Sequence, residues 1–482
     1  MRSLQRQRSN IGMEQIIGET QSLCPKCMSR IPAAKVEQDG DIYLKKECSL
    51  HGSFNVLIWR GDAKSYKEWE QFGNDGCPPI KPLTSAKRGC PFDCGLCPSH
   101  EVNACTMVME VTSKCNLVCP ICFADSGNGS AQEPDMDTLK EMFKIVLETV
   151  GPCTIQISGG EPTLRDDLPR IVAMGREMGF DHILLNTNGI RFAKDNEYLH
   201  KLKDSGLSAV YLQFDGVSDD VYRFIRGKNL LETKVQAIDN CIQERIGVVL
   251  VPVLIPKIND HQVGDIVRFA KDRIPYIKGI HFQPISYMGR YPDMQLDKDR
   301  ITIPDVLNAL CEQTDGEFKL EDFLPRGVKG SHCSFSGLFV LRKDGRIIPL
   351  NNLSDRLVSQ QRGYQVTEES SRQFMSLYWR FHEERNEPVS GACCGSLDPP
   401  AKPVSGYPFE RILTHGLTIS CMPFQDVWNI DLERLKGCCG HVVTSNKQII
   451  PFCALYLTDA NGQRLYIGDQ NGNLLCRDVA SQ

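Results

Sequence analysis

Three thiols stand at x3 and x2 spacing in Cys115-Asn-Leu-Val-Cys119-Pro-Ile-Cys122. Three cysteines hold three irons of a 4Fe-4S cube and leave the fourth iron open to a substrate or cofactor. A plain electron-transfer cluster uses a fourth thiol, and a zinc site prefers four ligands in two pairs. Cys90, Cys94 and Cys97 repeat the same spacing in GCPFDCGLCPSH and read as an auxiliary 4Fe-4S site completed by Cys77, Cys105 or Cys333. A zinc knuckle using His100 is the alternative there. Cys24-Pro-Lys-Cys27 with Cys48-Ser-Leu-His51 has the two-knuckle spacing of a zinc ribbon or a rubredoxin-like iron site. Four ligands close that site, so its role is structural. Near the C-terminus, Cys421, Cys438 and Cys453 read as a third cluster. Adjacent thiols do not easily share one small site, so one of Cys438-Cys439 and one of Cys393-Cys394 is spare. Cys153, Cys241, Cys311 and Cys476 read as ordinary thiols.

These groups need elements to carry them. From residue 107 to about 286, β-forming apolar runs alternate with helical patterns: strands over 107–112, 154–158, 182–186, 209–214, 247–255 and 279–284, and helices over 137–150, 168–178, 197–205, 230–245 and 263–271. The fold class is α/β: six βα units on a parallel sheet make a partial (β/α)6 barrel, with its active site at the carboxyl ends of the strands. The cysteines of 115–122 follow the first strand. Ser158-Gly159-Gly160-Glu161-Pro162 ends the second, where two glycines allow close backbone approach and a carboxylate can accept from an ammonium group. Asn188 follows the third strand, Gln213 ends the fourth, and Arg226 comes after it with a guanidinium able to clamp a carboxylate.

The cysteine-rich modules flank this core. The expected organisation is a ribbon over 1–75, an auxiliary-cluster segment over 76–106, the barrel over 107–330 and a C-terminal module over 331–482. That last module holds a hairpin over 335–349, a helix over 368–385, a Pro- and Gly-rich stretch over 388–408 and a second hairpin around Asn446-Lys447. At 482 residues there is length for several domains. The 55 Lys and Arg against 60 Asp and Glu leave a net charge of -5, with no basic excess to hold a polyanion, so nucleic acid is not an expected partner. The longest apolar run, 248–255, is too short to span a bilayer, although peripheral contact stays open. The polar start MRSLQRQRSN is no signal peptide, and 22 cysteines in a cytoplasmic chain point to metal ligation.

The order CNLVCPICFA, SGGEPTLR, LNTNG, QFDG, IRG resembles the radical S-adenosylmethionine (SAM) superfamily, with Ile121 at the usually aromatic position and Phe123 one place later. The resemblance implies a SAM-binding 4Fe-4S cluster on Cys115, Cys119 and Cys122, with SAM contacts from Phe123, Gly159, Gly160, Glu161, Asn188, Gln213 and Arg226. In such enzymes one electron cleaves SAM to a 5'-deoxyadenosyl radical, which abstracts hydrogen from an unactivated carbon. An electron donor such as ferredoxin or flavodoxin is implied as partner. With the ribbon and the terminal IDLERLKGC and IIPFC segments, the chain is similar to tetraether lipid synthases, formerly read as pterin methylases, and to related bacterial radical SAM (seleno)proteins. That branch implies coupling or modification of lipid chains. Radical methylation or sulfur modification of a small molecule or peptide is the alternative, and a non-catalytic iron-sulfur electron carrier is the reading of another class.

Overall fold

The structure is a computed structural model, and it describes residues 14–71, 79, 81–127, 133–292, 299–325, 331–350, 378–382, 409–468 and 474–477. Cys77, Cys393, Cys394, the 388–408 stretch and most of the helix expected over 368–385 lie outside the described residues.

The N-terminal ribbon is an antiparallel sheet in sequential order, β1 (Gln15–Leu23), β2 (Arg30–Gln38), β3 (Asp41–Cys48) and β4 (Gly52–Trp59). Asp39 and Gly40, both at positive φ (54° and 83°), make the two-residue turn between β2 and β3. Helix α1 (Ala63–Glu70) follows, its N-terminus capped by Asp62, which accepts from the Ser65 amide at 2.8 Å. The polar and small residues of β1 and β2 dilute the apolar alternation that marks a strand in sequence.

The core alternates as expected. Its strands are β5 (Thr106–Thr112), β6 (Thr154–Gly159), β7 (Ile183–Thr187), β8 (Ala209–Gln213), β9 (Gly247–Val251), the short β10 (Val253–Leu254) and β11 (Ile277–Pro284). The connecting helices are α2 (Met136–Thr149), α3 (Leu168–Glu177), α4 (Asn196–Asp204), α5 (Asp219–Arg226), α6 (Leu231–Gln243) and α7 (Val263–Lys271). Sequence reading missed only α5 among these, an eight-residue helix between β8 and α6. β5, β6, β7, β8, β9 and β11 pair in parallel, in that order. Alternate residues face the helices, so Met107, Met109 and Val111 pack with Leu139, Phe143 and Val146 of α2. The opposite face lines the barrel interior, where Leu184, Ala209, Tyr211 and Val249 pack on Trp379.

The C-terminal module does more than append to this barrel. After α8 (Ile303–Gln313) and the short β12 (Leu324–Pro325), β13 (Phe335–Leu341) and β14 (Ile347–Pro349) form the first expected hairpin. β15 (Gly416–Cys421) then pairs in parallel with β11, and β16 (Gly440–Val443) pairs in parallel with β5 at the other edge. β17 (Ile449–Pro451) completes the second hairpin. Both edges of the six-stranded wall are therefore covered by one late segment of chain, which deals with the exposed backbone that open sheets must hide.

Candidate active site and metal centres

The loop after β5 carries Cys115, Cys119 and Cys122, with Cys119 buried and the other two partly so. Arg290, from beyond β11, holds the loop in place. Its amide and carbonyl exchange hydrogen bonds with those of Cys122 (2.8 and 2.9 Å), and its Nε donates to the Cys119 carbonyl at 2.6 Å. Burial pushes the Cys115 thiol up to about 11, with Glu161 and the other two cysteines adding to it. Three sulfur donors crowded in this way suit a cationic iron centre, which takes thiolates. Gly159 and Gly160 pack directly beneath: a Cβ on Gly159 would lie 2.1 Å from the Thr112 carbonyl oxygen, and one on Gly160 would lie 2.2 Å from that of Lys114. The glycines thus let the second loop press against the first.

The carboxylate of Glu161 is occupied by its own loops. Oε1 accepts from the Thr163 amide (3.1 Å), the Thr163 hydroxyl (2.6 Å) and the Thr187 hydroxyl (2.7 Å), and Oε2 accepts from the Asn188 amide (2.7 Å). A buried acid that accepts from four donors organises the β6 and β7 loops. Asn188 in turn donates from Nδ2 to Asn116 Oδ1 of the cysteine loop at 2.7 Å. Arg226 is likewise committed: Nε and Nη2 bind both oxygens of buried Asp215 (2.7 and 2.8 Å), and Nη1 reaches the Ile121 carbonyl at 3.3 Å. Its guanidinium braces the cysteine loop and opposes the burial-driven rise of the Cys119 pKa, so the carboxylate it clamps is that of Asp215. Ile121 packs with Ile225, Ile285 and Tyr287, and Phe123 lies edge-on to Tyr456, ring centroids 4.8 Å apart.

Lys234 is the residue that sequence reading missed. Wholly buried on α6, its Nζ donates to the Asn188 carbonyl (2.5 Å) and to Gln213 Oε1 (3.0 Å), and burial lowers its pKa to about 8. The signal was available. Lys234 shares the buried face of α6 with Ala237, Ile238 and Cys241, where a lysine needs a polar purpose.

In the ribbon, the donor atoms of Cys24, Cys27, Cys48 and His51 all lie within 4.8 Å of one another. The His51 Nδ1 distances to Cys24 and Cys48 sulfur are both 3.5 Å, and Cys27 and Cys48 sulfurs are 3.9 Å apart. Zn–S bonds of about 2.3 Å and Zn–N bonds of about 2.0 Å in a tetrahedron require edges of roughly 3.5 to 3.8 Å. The four residues fit a zinc ion in a closed site.

Cys90, Cys94 and Cys97 border a small hollow, with His100, Lys436 and Pro451 on its other walls. Contact with Cys90, then burial, raises the Cys94 pKa well above its ordinary value. His100 is tied to the Cys438 carbonyl at 2.8 Å. At the C-terminal group the structure rearranges the expected set. Cys421 lies in the barrel's apolar core on β15, its thiol raised by burial alone. Cys453 and Cys333 both add to the burial that raises the Cys438 pKa, and Arg434 Nε donates to Cys333 sulfur at 2.8 Å. Cys105 and Cys439 sulfurs are 2.9 Å apart.

This barrel, with three thiols after its first strand and a glycine-backed second loop, defines a radical SAM iron-sulfur enzyme, and the chain belongs to the radical SAM superfamily. Residues 109–270 match that superfamily and residues 16–60 match the HMPTM N-terminal zinc ribbon domain. Nearly the whole chain is similar to the 7,8-dihydro-6-hydroxymethylpterin dimethyltransferase of Methanocaldococcus jannaschii, at 37% identity over 478 residues, covering 90% of this chain and 92% of that one. The GTP 3',8-cyclase of Campylobacter fetus is 28% identical over 257 residues, 50% of this chain and 78% of its own. Among solved structures, Streptococcus suis SuiB superposes with a TM-score of 0.37 at 18% identity, over 44% of this chain and 46% of that one. When bound, the cluster and SAM supply a 5'-deoxyadenosyl radical; the chain's part is to hold them, order the loops around them and present a substrate. No helix among the described residues is long and apolar enough to cross a membrane.

Proposed function

We propose that this radical SAM enzyme methylates a compact, polar, nitrogen-rich small molecule of the pterin class. The observation that carries the reading is the inner face of the barrel. The polar residues turned inward along the strands are Glu110, Gln156, Asn186, Gln213, His281 and Gln283, each half-buried between buried neighbours. The same inner face carries an apolar group, Leu184, Ala209, Tyr211 and Val249, packed on Trp379, whose indole N–H donates to Thr418 Oγ1 at 3.1 Å. An inner face of hydrogen-bonding groups interleaved with apolar ones and blocked by Trp379 suits a small heterocycle. A long isoprenoid chain would need an apolar passage where Trp379 stands.

The name of the full-length relative supports the same choice over the lipid coupling that the motif order implied. Pterins and guanine, the base of GTP, share a 2-amino-4-oxo ring edge with adjacent N–H and NH2 donors. Anaerobically reconstituted enzyme with dithionite, SAM carrying a deuterated methyl group and 7,8-dihydro-6-hydroxymethylpterin should yield a pterin heavier by one or two labelled methyl groups. Unmodified pterin alongside joined or altered lipid chains would overturn methylation in favour of the tetraether branch. Incorporated sulfur would move the assignment to sulfur modification.

A further inference from the structure

We propose that Glu110 and Tyr456 anchor the substrate by accepting the adjacent N–H and NH2 donors of a 2-amino-4-oxo heterocycle. This rests on the small-molecule reading above and specifies which groups would make it true. Glu110 is the one acid among the six inward polar residues of the chamber. Its Oε1 accepts from the Tyr456 hydroxyl at 2.6 Å, and Oε2 takes no hydrogen bond among the described residues. Burial raises its pKa, with the Tyr456 hydroxyl and Arg464 opposing. A carboxyl placed in a barrel interior with one oxygen unused carries a desolvation cost that a ligand with two parallel donors would relieve.

The pair also sits where a substrate must come. Tyr456 packs edge-on against Phe123, one residue past Cys122, and Arg464 donates to the carbonyl of Ala124 while its guanidinium lies 5.6 Å from the Tyr456 ring centroid. Phe452 lies 5.2 Å from Phe123, between centroids, and steadies the other side. Tyr456 comes from a segment 346 positions from Glu110, so the C-terminal module supplies part of the chamber wall. A purely structural Tyr–Glu tie would account for Oε1. It would not account for an open Oε2 on the inward face.

The test measures binding of two probes to the anaerobically reconstituted holoenzyme in the presence of SAM, by equilibrium dialysis. One probe is 7,8-dihydro-6-hydroxymethylpterin, and the other is isocytosine, which carries the same edge on a single ring. Glu110→Gln turns one acceptor into a donor facing donors and should weaken both probes by about tenfold or more, while Tyr456→Phe should weaken them by about two- to fivefold. Both variants should keep wild-type iron content and the wild-type far-UV circular dichroism, which shows that they are folded and loaded. Glu110→Asp should recover part of the loss. Unchanged probe binding in Glu110→Gln overturns the anchor, as does failure of the wild type to bind either probe. Wild-type binding of isocytosine but not the pterin overturns the pterin assignment and leaves the anchor standing.

Discussion

Replacing Thr187 with valine separates two roles for Glu161. If the carboxylate received the SAM amino group directly, losing a hydroxyl on the far loop would leave SAM binding largely intact. In the structure Thr187 Oγ1 donates to Glu161 Oε1 at 2.7 Å and accepts from the Gly189 amide at 3.1 Å. Valine removes a hydrogen bond to a buried charge, worth about 1.5 to 3 kcal/mol, and leaves an amide unpaired at about 1 kcal/mol or more. Partial relaxation brings the expected loss to about 2 to 3 kcal/mol. Where that loss falls on ordering the loop that carries Asn188, the apparent SAM dissociation constant rises roughly 30- to 150-fold, since the competent state becomes rare. The assay is SAM binding to the reconstituted protein, with iron content and the cluster's absorbance as controls. Glu161→Gln should give a loss of similar size. Wild-type SAM affinity in Thr187→Val beside a large loss in Glu161→Gln would refute the organising role.

Other expectations follow from the same geometry. Alanine at Cys115, Cys119 and Cys122 should abolish dithionite-dependent formation of 5'-deoxyadenosine, read by chromatography. Cys333→Ala should lower iron content where Cys421→Ala leaves it unchanged, because the charge of Cys333 acts on Cys438 while Cys421 is packed in the apolar core. A zinc chelator, or Cys27→Ser, should release one zinc per chain and lower the thermal midpoint, measured by scanning calorimetry. Splitting the buried Arg300–Asp426 pair (2.9 and 3.0 Å) with Asp426→Asn should cost about 3 to 5 kcal/mol in denaturant unfolding, as a buried charge loses its partner. Lys234 holds its proton only below about 8 in the fold but up to about 10.4 when unfolded. The unfolded chain therefore binds more protons across that window, and stability rises with pH there. Lys234→Met should flatten the rise.

Most of the barrel was legible because each strand and crossover helix is a local pattern: α7 starts and ends where its periodicity does, and β5 to β8 begin or end within a residue of expectation. The edge strands were not, since nothing within GLTISC or GHVV says which distant strand it will join. Cys421 shows what close reading could have recovered. In GLTISC the apolar positions alternate as Leu417, Ile419 and Cys421, which marks the thiol as a core residue on a strand. Cys333 carried no such mark, ending a short turn over Ser331–Cys333, and only the folded chain brings it to Cys438 and Arg434. At the second loop, the glycines and acid of GGEP were recognisable. That the acid would be spent on Thr163, Thr187 and Asn188 depends on two loops meeting.

The two late edge strands also set a timetable for the molecule's life. Cys105 and Cys439 are 334 positions apart, and β5 has no neighbour on its outer edge until β16 has been synthesised. During translation the barrel wall therefore waits with both flanks bare, and contacts this distant form slowly. Cys438 and Cys453 are synthesised after the whole six-stranded wall. Iron delivered early would find the first loop's thiols on an unfinished scaffold, open to oxygen and to stray pairing. Productive loading belongs after both edge strands have docked, and recombinant yield should depend more on chaperones and on slow, anaerobic expression than on iron supply.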